Sequence, residues 1–258
     1  MSYTQNSGFV GIDNYVEVFE NPQYNRAILV SGYYMVAAVV QVFAALILAV
    51  LLSRCRFSST YKTLYVMPYM INGIAVGYIF KLFFTRGYVL DSVLNFLGID
   101  LSVLPFWLRD QSVNNWSLAF ASVWRYTGLS LIIFIGAIGA IERSVFEASS
   151  LDGANRWQQY KYIIWPNIKK VFYINLFLSI VSSLSEFELP FAIASGGSNG
   201  TATYMTLIYR IAFTERKIGL ASAMVVVLLL QIILFTLLLL QFNKIVNSKQ
   251  RTGEKHRE

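Results

Sequence analysis

Ser122, Trp124, Arg125 and Tyr126 interrupt one apolar run of the chain, and Asn175, Ser179, Ser182, Ser183, Ser185, Glu186 and Glu188 interrupt another. Polar side chains within hydrocarbon are costly unless they face a cavity or pair with one another. Together they offer hydroxyl, amide and carboxylate groups beside aromatic rings, a chemistry that can hold a polar solute without reacting with it. Small polar residues can also simply bond one helix to the next, as expected of Gln41 and Asn72. Glu186 and Glu188 could instead carry the coupling ion of a gradient-driven secondary transporter or channel. Arg125 could pair with either carboxylate or reach toward the outer surface.

Reactive chemistry finds little support. The one histidine, His256, lies in a polar tail, and Cys55 is the sole cysteine. That leaves no metal site, no internal disulfide and no general base, so no catalytic residue is assigned. The run Ala194-Ser195-Gly196-Gly197-Ser198-Asn199-Gly200-Thr201 lacks the lysine of a phosphate-binding loop and reads as a flexible loop. The net charge of +7 is no argument for nucleic-acid binding, because most of it falls in segments that membrane topology explains.

The elements that must position these groups are membrane spans. More than half of the residues are apolar, and five runs, near 28–52, 63–84, 116–141, 171–194 and 219–242, reach the ~20 residues that cross hydrocarbon. Pro68, Gly73, Gly77, Gly128 and Pro190 are tolerable there and supply bending points. Arg54, Arg56 and Lys62, then Arg143, Arg156, Lys161, Lys169 and Lys170, then Lys244, Lys249, Arg251, Lys255 and Arg257 mark the cytoplasmic segments. Asp13, Glu17 and Glu20 make the first segment acidic, with Tyr15, Phe19, Phe106 and Trp107 at the outer interface. The expectation is an all-α integral membrane protein, one domain over residues 1–258, with a cytoplasmic tail at 243–258.

Between the third and fourth spans, residues 142–170 are too long for a turn and too short for a domain. Ser144 and Glu147 have capping-box spacing, so a helix is predicted to begin there. Asp152-Gly153 is a turn dipeptide, and Pro166 is expected to stop a second short helix. Phe146, Leu151, Trp157, Tyr160, Ile163 and Ile164 give an apolar face opposite Arg156, Gln158, Gln159 and Lys161. Such a helix-turn-helix could dock into a cytoplasmic partner or lie on the membrane surface.

This segment resembles the permease subunits of bacterial ATP-binding-cassette importers. Their signature is Glu-Ala-Ala, Gly six residues after the Glu, Ile at sixteen and Pro at nineteen. Glu147, Ala148, Gly153, Ile163 and Pro166 match, while Ser149 replaces the second Ala and Trp165 the usual Leu. Phe9-Val10-Gly11-Ile12-Asp13-Asn14-Tyr15, Asp152-Gly153-Ala154 with Trp157, Gly196-Gly197, Ala212-Phe213 and Gly219-Leu220-Ala221-Ser222-Ala223 are similar to maltose-transporter-type carbohydrate importers, more to the first permease than to the second. The resemblance implies a multi-pass protein of the bacterial inner membrane with its C-terminus cytoplasmic. The implied partners are a second, different permease, two ATPase subunits that bind ATP and magnesium, an extracytoplasmic binding protein, lipid and an oligosaccharide. No cofactor is expected on this chain. Glu147, Ala148, Ser149, Asp152, Gly153, Ala154, Trp157, Ile163 and Pro166 would couple to the ATPase, and Ser122, Trp124, Tyr126, Ser182, Ser185 and Glu186 would line the sugar path. The glycine-rich loop would lie near the delivering partner. The family usually has a further helix ahead of the Phe9–Tyr15 segment, and Met1 falls where that helix would end, so the expectation is five visible spans with a sixth, N-terminal one missing from this sequence.

Overall fold

The computed structural model describes residues 10–53 and 58–254, leaving aside the side chains of 58–59, 239–240 and 242–254. Phe9, Arg54, Cys55, Arg56, Lys255, His256 and Arg257 thus lie outside the described residues, as do the side chains of Lys244, Lys249 and Arg251. Among the described residues, the regular elements are all helical. They are α1 (Asp13–Glu20), α2 (Pro22–Leu52), α3 (Ser58–Met70), α4 (Gly73–Phe84), α5 (Val89–Phe96), α6 (Asn114–Gly139), α7 (Arg143–Leu151), α8 (Arg156–Gln159), α9 (Trp165–Leu184), α10 (Glu188–Ile193), α11 (Tyr204–Tyr209) and α12 (Ile218–Glu254). Among the described residues, the segments long and apolar enough to cross a membrane are α2, α6, the run Arg156–Ile193 and Ile218–Leu238; α3 and α4 meet the same test only together, bent by 97° at their break, as one broken span or a re-entrant loop. These coincide with the five apolar runs of the sequence.

The chain packs as two units, one of Arg26–Leu207 and one of the two chain ends, through Asn25 and from Ile208. In the smaller unit α1 lies along α12, and a Cβ at Gly219 would stand 3.0 Å from the side-chain nitrogen of Asn14. In the larger unit two apolar clusters form. One joins Val42, Leu46 and Ala49 of α2 to Leu131 and Phe134 of α6 and Ile168 and Phe172 of α9. The other joins Val30 and Tyr34 of α2 to Val76 and Phe80 of α4, Leu118 of α6 and Leu189 of α10. Lipid tails are as apolar as these side chains, so close packing rather than water exclusion must hold the helices together. Gly77 meets Ala192, and Gly128 meets the Tyr65 carbonyl, so closely that a Cβ at either would overlap its neighbour.

Two spans are interrupted, and each break supplies its own hydrogen bonds, as hydrocarbon demands. Beyond Pro68 and Met70 the chain turns, and Asn72 Oδ1 accepts from the amides of Ile74 at 3.0 Å and Ala75 at 3.4 Å to restart α4. Asn72 is therefore a helix cap and not the interhelical contact expected of it. Between α9 and α10, the Glu186 carboxylate accepts from the Leu189 amide at 3.3 Å, while Thr203 Oγ1 donates to the Glu186 carbonyl at 2.9 Å. The glycine-rich loop is also better anchored than its composition suggests. Asn114 Nδ2 donates to the Asn199 carbonyl at 2.9 Å, and Asn199 Nδ2 donates to the Leu108 carbonyl at 3.3 Å.

Residues 86–107 form a clasp around one buried carboxylate. Asp91, fully buried in the first turn of α5, accepts from the Gly87 amide at 2.8 Å and from the Trp107 indole at 2.9 Å. Arg86 Nε stands 3.4 Å from the same carboxylate, and the guanidinium also donates to the carbonyls of Leu101, Leu104 and Pro105. Burial alone would raise the Asp91 pKa, but these bonds and the Arg86 charge outweigh it and hold the carboxyl below its usual range. A carboxyl with a depressed folded pKa stabilises at neutral pH and loses that contribution as pH falls through the folded value. Amide protection across 87–107, taken relative to the intrinsic exchange rate at each pH, should therefore fall below about pH 4, the ordinary carboxyl range. Asp91→Ala, which removes the carboxylate from a partly exposed Arg86 and the acceptor of the Gly87 amide and Trp107 indole, should lower that protection at neutral pH and lose the acid dependence. Unchanged exchange in the variant would contradict the clasp.

Candidate functional site

Along α2, α6 and α9 a polar belt separates the two apolar clusters. There the helices, with Tyr69 of α3, line a partly open cavity of about 120 Å³. Gln41, Ser122, Tyr126, Ser130, Asn175, Ser179, Ser182, Ser183 and Glu186 supply its polar wall. Gln41 Nε2 donates to Ser130 Oγ at 2.6 Å and to the Tyr126 carbonyl at 3.1 Å, and Ser130 Oγ donates to Asn175 Oδ1 at 3.3 Å. That chain uses the Asn175 oxygen and leaves its buried Nδ2 without a partner in the structure. At the other end the Tyr126 hydroxyl donates to Glu186 Oε2 at 3.1 Å.

Of the residues expected on the path, Ser122, Tyr126, Ser182 and Glu186 line this cavity; Trp124 and Ser185 do not. The Trp124 indole packs on Phe80 at 5.3 Å and borders a separate crevice with Tyr61, Tyr65 and Pro68. Ser185 closes the end of α9, exposed on another side. Gln41 bonds between helices as expected. Tyr69 and Ser130 were not anticipated. Ser130 was legible, since Ser122, Tyr126 and Ser130 repeat at intervals of four on one face of α6; Tyr69 reaches the cavity only because the chain breaks after α3.

Beside this wall lies an ion pair. Arg125, 8% exposed, places Nη1 2.5 Å from Glu188 Oε2 and 3.1 Å from the Tyr126 hydroxyl. Of the routes open to Arg125 in the sequence, the structure takes pairing with Glu188. Gly73, the first residue of α4, abuts the pair, and a Cβ there would overlap both the Glu188 carboxylate and the guanidinium. The break before α4 and the break before α10 thus meet at one buried charge.

The segment 142–170 forms a hairpin of α7 and α8 joined through Gly153 at φ +77°, a left-handed conformation that side chains disfavour. The caps differ from expectation. Glu142 occupies the N-cap of α7, and Ser144 lies inside the helix with its hydroxyl donating to Glu142 Oε2 at 3.2 Å. The capping box forms instead at α8, where Asn155 accepts from the Gln158 amide at 2.9 Å and Gln158 accepts from the Asn155 amide at 2.7 Å. Pro166 does not stop the helix either. A π-helical turn at Tyr160–Ile164 widens the coil just before it, which relieves the clash a proline ring makes in a regular helix, and the chain runs on into α9.

The apolar face of the hairpin divides. Phe146 and Tyr160 pack against the α2–α6–α9 cluster that includes Ile164, whereas Leu151 is 90% and Trp157 68% exposed. Gln159, expected on the polar side, is buried and donates from Nε2 to Ser149 Oγ at 2.9 Å and Ser150 Oγ at 3.1 Å, tying α8 to α7. The serine that replaces the usual alanine thus acquires a role. Glu147 bonds Arg143 one turn away at 2.9 Å, with both side chains largely exposed.

A family model described as the inner membrane component of binding-protein-dependent transport systems matches residues 29–252. The chain belongs to this family. Among its relatives, the probable ABC transporter permease YesP of Bacillus subtilis is 32% identical over 238 residues, covering 90% of this chain and 76% of the relative. The probable starch degradation products permease AmyD of Thermoanaerobacterium thermosulfurigenes is 28% identical over 230 residues, with 87% and 77% covered. In fold, the chain is similar to one in the crystal structure of a bacterial ABC transporter involved in the import of the acidic polysaccharide alginate. That match has a TM-score of 0.83 at 19% identity and covers 94% of this chain and 86% of the other. The chain is an importer permease of the inner membrane, as the coupling-segment signature had suggested.

For this permease the pair sets a stability test. The Arg125 side chain is 10% exposed but that of Glu188 is 42%, so losing Glu188 leaves a largely buried charge unpaired at a cost of up to about 3 kcal/mol, while replacing both by apolar residues costs less. Glu188→Ala should therefore lower the melting temperature of the purified protein markedly, and Arg125→Met with Glu188→Met should recover most of the loss. Equal losses in the single and double variants would show that the pair is not a unit.

Proposed function

We propose that this permease forms half of the translocation path of an ATP-driven, binding-protein-dependent importer of a sugar, specifically an oligosaccharide. One observation carries the reading. The exposed tip residue Trp157 is joined without interruption, through α8, the π turn and α9, to Ser179 and Ser182 of the polar cavity. A push on the hairpin is a push on Ser179 and Ser182. Permease relatives named for starch degradation products and for lactose support a carbohydrate cargo.

Two ATPase subunits, holding ATP and magnesium, close in the cytoplasm and draw on the hairpin. Leu151 and Trp157 enter a cleft of one of them, with Ala148, Asp152 and Ala154 at the contact. Glu147 exchanges Arg143 for a cation of the partner, which is inexpensive because an exposed i,i+4 pair is worth only ~0.3–0.5 kcal/mol. Gln159 and Ser149 keep the two short helices moving as one body. Ile163 and Pro166, at the π turn, pass the movement to α9. A second, different permease supplies the facing wall, and a binding protein outside delivers the sugar. Lysines and arginines in the hairpin and tail support a cytoplasmic location for both.

The test is ATP hydrolysis and uptake in proteoliposomes holding this chain, a second permease and the ATPase. Hydrolysis should rise severalfold only with both binding protein and an oligosaccharide, which should accumulate inside. Gly153→Val forces a β-branched residue to positive φ and should cut uptake at least tenfold while hydrolysis continues. Uptake that ignores ATP but collapses with the ion gradient would contradict the reading and point to a secondary transporter.

A further inference from the structure

Glycans differ sharply in charge. A neutral sugar offers only hydroxyls, whereas a uronate adds a carboxylate to each ring. The wall between α6 and α9 treats the two differently. Its polar groups are hydroxyls and amides apart from Glu186, and no lysine, arginine or histidine is among the described residues that line it. The adjacent cation, Arg125, is withheld: it is 8% exposed and held by Glu188 at 2.5 Å and by the Tyr126 hydroxyl at 3.1 Å. A charge leaving water needs a partner of opposite sign or a full set of donors. A uronate carboxylate pressed on this wall meets the Glu186 carboxyl and gains neither.

A neutral hydroxyl meets better terms. It can donate to Glu186, which is 4% exposed and already accepts from the Tyr126 hydroxyl. It can accept from the buried Asn175 Nδ2, which lacks a partner in the structure. We infer that this half of the path selects neutral, hydroxyl-rich glycans over uronate-rich ones, with Glu186 as the discriminating group and the Arg125–Glu188 pair as the device that removes the competing cation. The inference rests on the reading that the path carries carbohydrate.

Equilibrium binding tests it on the assembled complex of this chain with a second permease and the ATPase, in the ATP-bound state and without binding protein, so that only the path selects. The probes are a neutral glucose pentasaccharide and a galacturonate pentasaccharide at low salt. The neutral probe should bind and the uronate should bind at least tenfold more weakly. Glu188→Gln, which releases Arg125, should narrow that gap at least threefold. Uronate binding equal to or tighter than neutral binding in the native complex would overturn the inference and leave the importer reading intact. If neither probe bound, the carbohydrate reading would fall and the inference with it.

Discussion

Arg125 must have a partner, and much of the larger unit follows from that need. A guanidinium removed from water is tolerable only beside an opposite charge. Glu188 provides it at 2.5 Å, and to stand there it must lie on α10, beyond an interruption of the span that starts with α9. Gly73 must lack a side chain, and it begins α4 only because α3 breaks at Ile71 and Asn72. One buried charge thus fixes where α4, α6 and α10 meet. Glu186, two residues before Glu188, is left to face the cavity with a tyrosine hydroxyl in place of a cation.

The polar belt and the hairpin share a helix, and this gives the arrangement its mechanical sense. Hydrocarbon offers little drive for helix association, so the helices hold by close contacts at Gly77 and Gly128 and by a few hydrogen bonds. Such packing can slide between discrete positions more easily than a large apolar core. The hairpin itself is stiffer. Asn155 and Gln158 cap α8 reciprocally, and Gln159 fastens it to Ser149 and Ser150 of α7. A stiff lever joined to a bundle with thin contacts transmits movement instead of absorbing it.

The helical spans were legible because membrane length and apolarity are one-dimensional properties of a sequence. The turn at Gly153 was legible too, since few residues besides glycine hold positive φ cheaply. The partner of Arg125 was not. Glu186 and Glu188 are two residues apart, and only the fold of the break decides which one turns toward α6. The capping box went to the wrong pair for a similar reason: Ser144 and Glu147 satisfy the spacing as well as Asn155 and Gln158 do, but the chain is extended at Glu142 and already helical at Ser144. Pro166 misled because its usual effect assumes a regular α-helix, and the π turn ahead of it removes that assumption. Trp124 and Ser185 were placed on the path for being polar or aromatic at the right depth, whereas the cavity takes only one face of each helix. Ser182 meets that condition.

The central claim is that the wall bearing Ser182 faces the two sides of the membrane in turn under the control of ATP. A Ser182→Cys variant, with Cys55→Ser to remove the native thiol, reports this through a membrane-impermeant thiol reagent added to one side at a time. With binding protein and sugar present, the account predicts labelling from outside with ATP and from inside without it. Labelling from the same side in both conditions, or from neither, would contradict it.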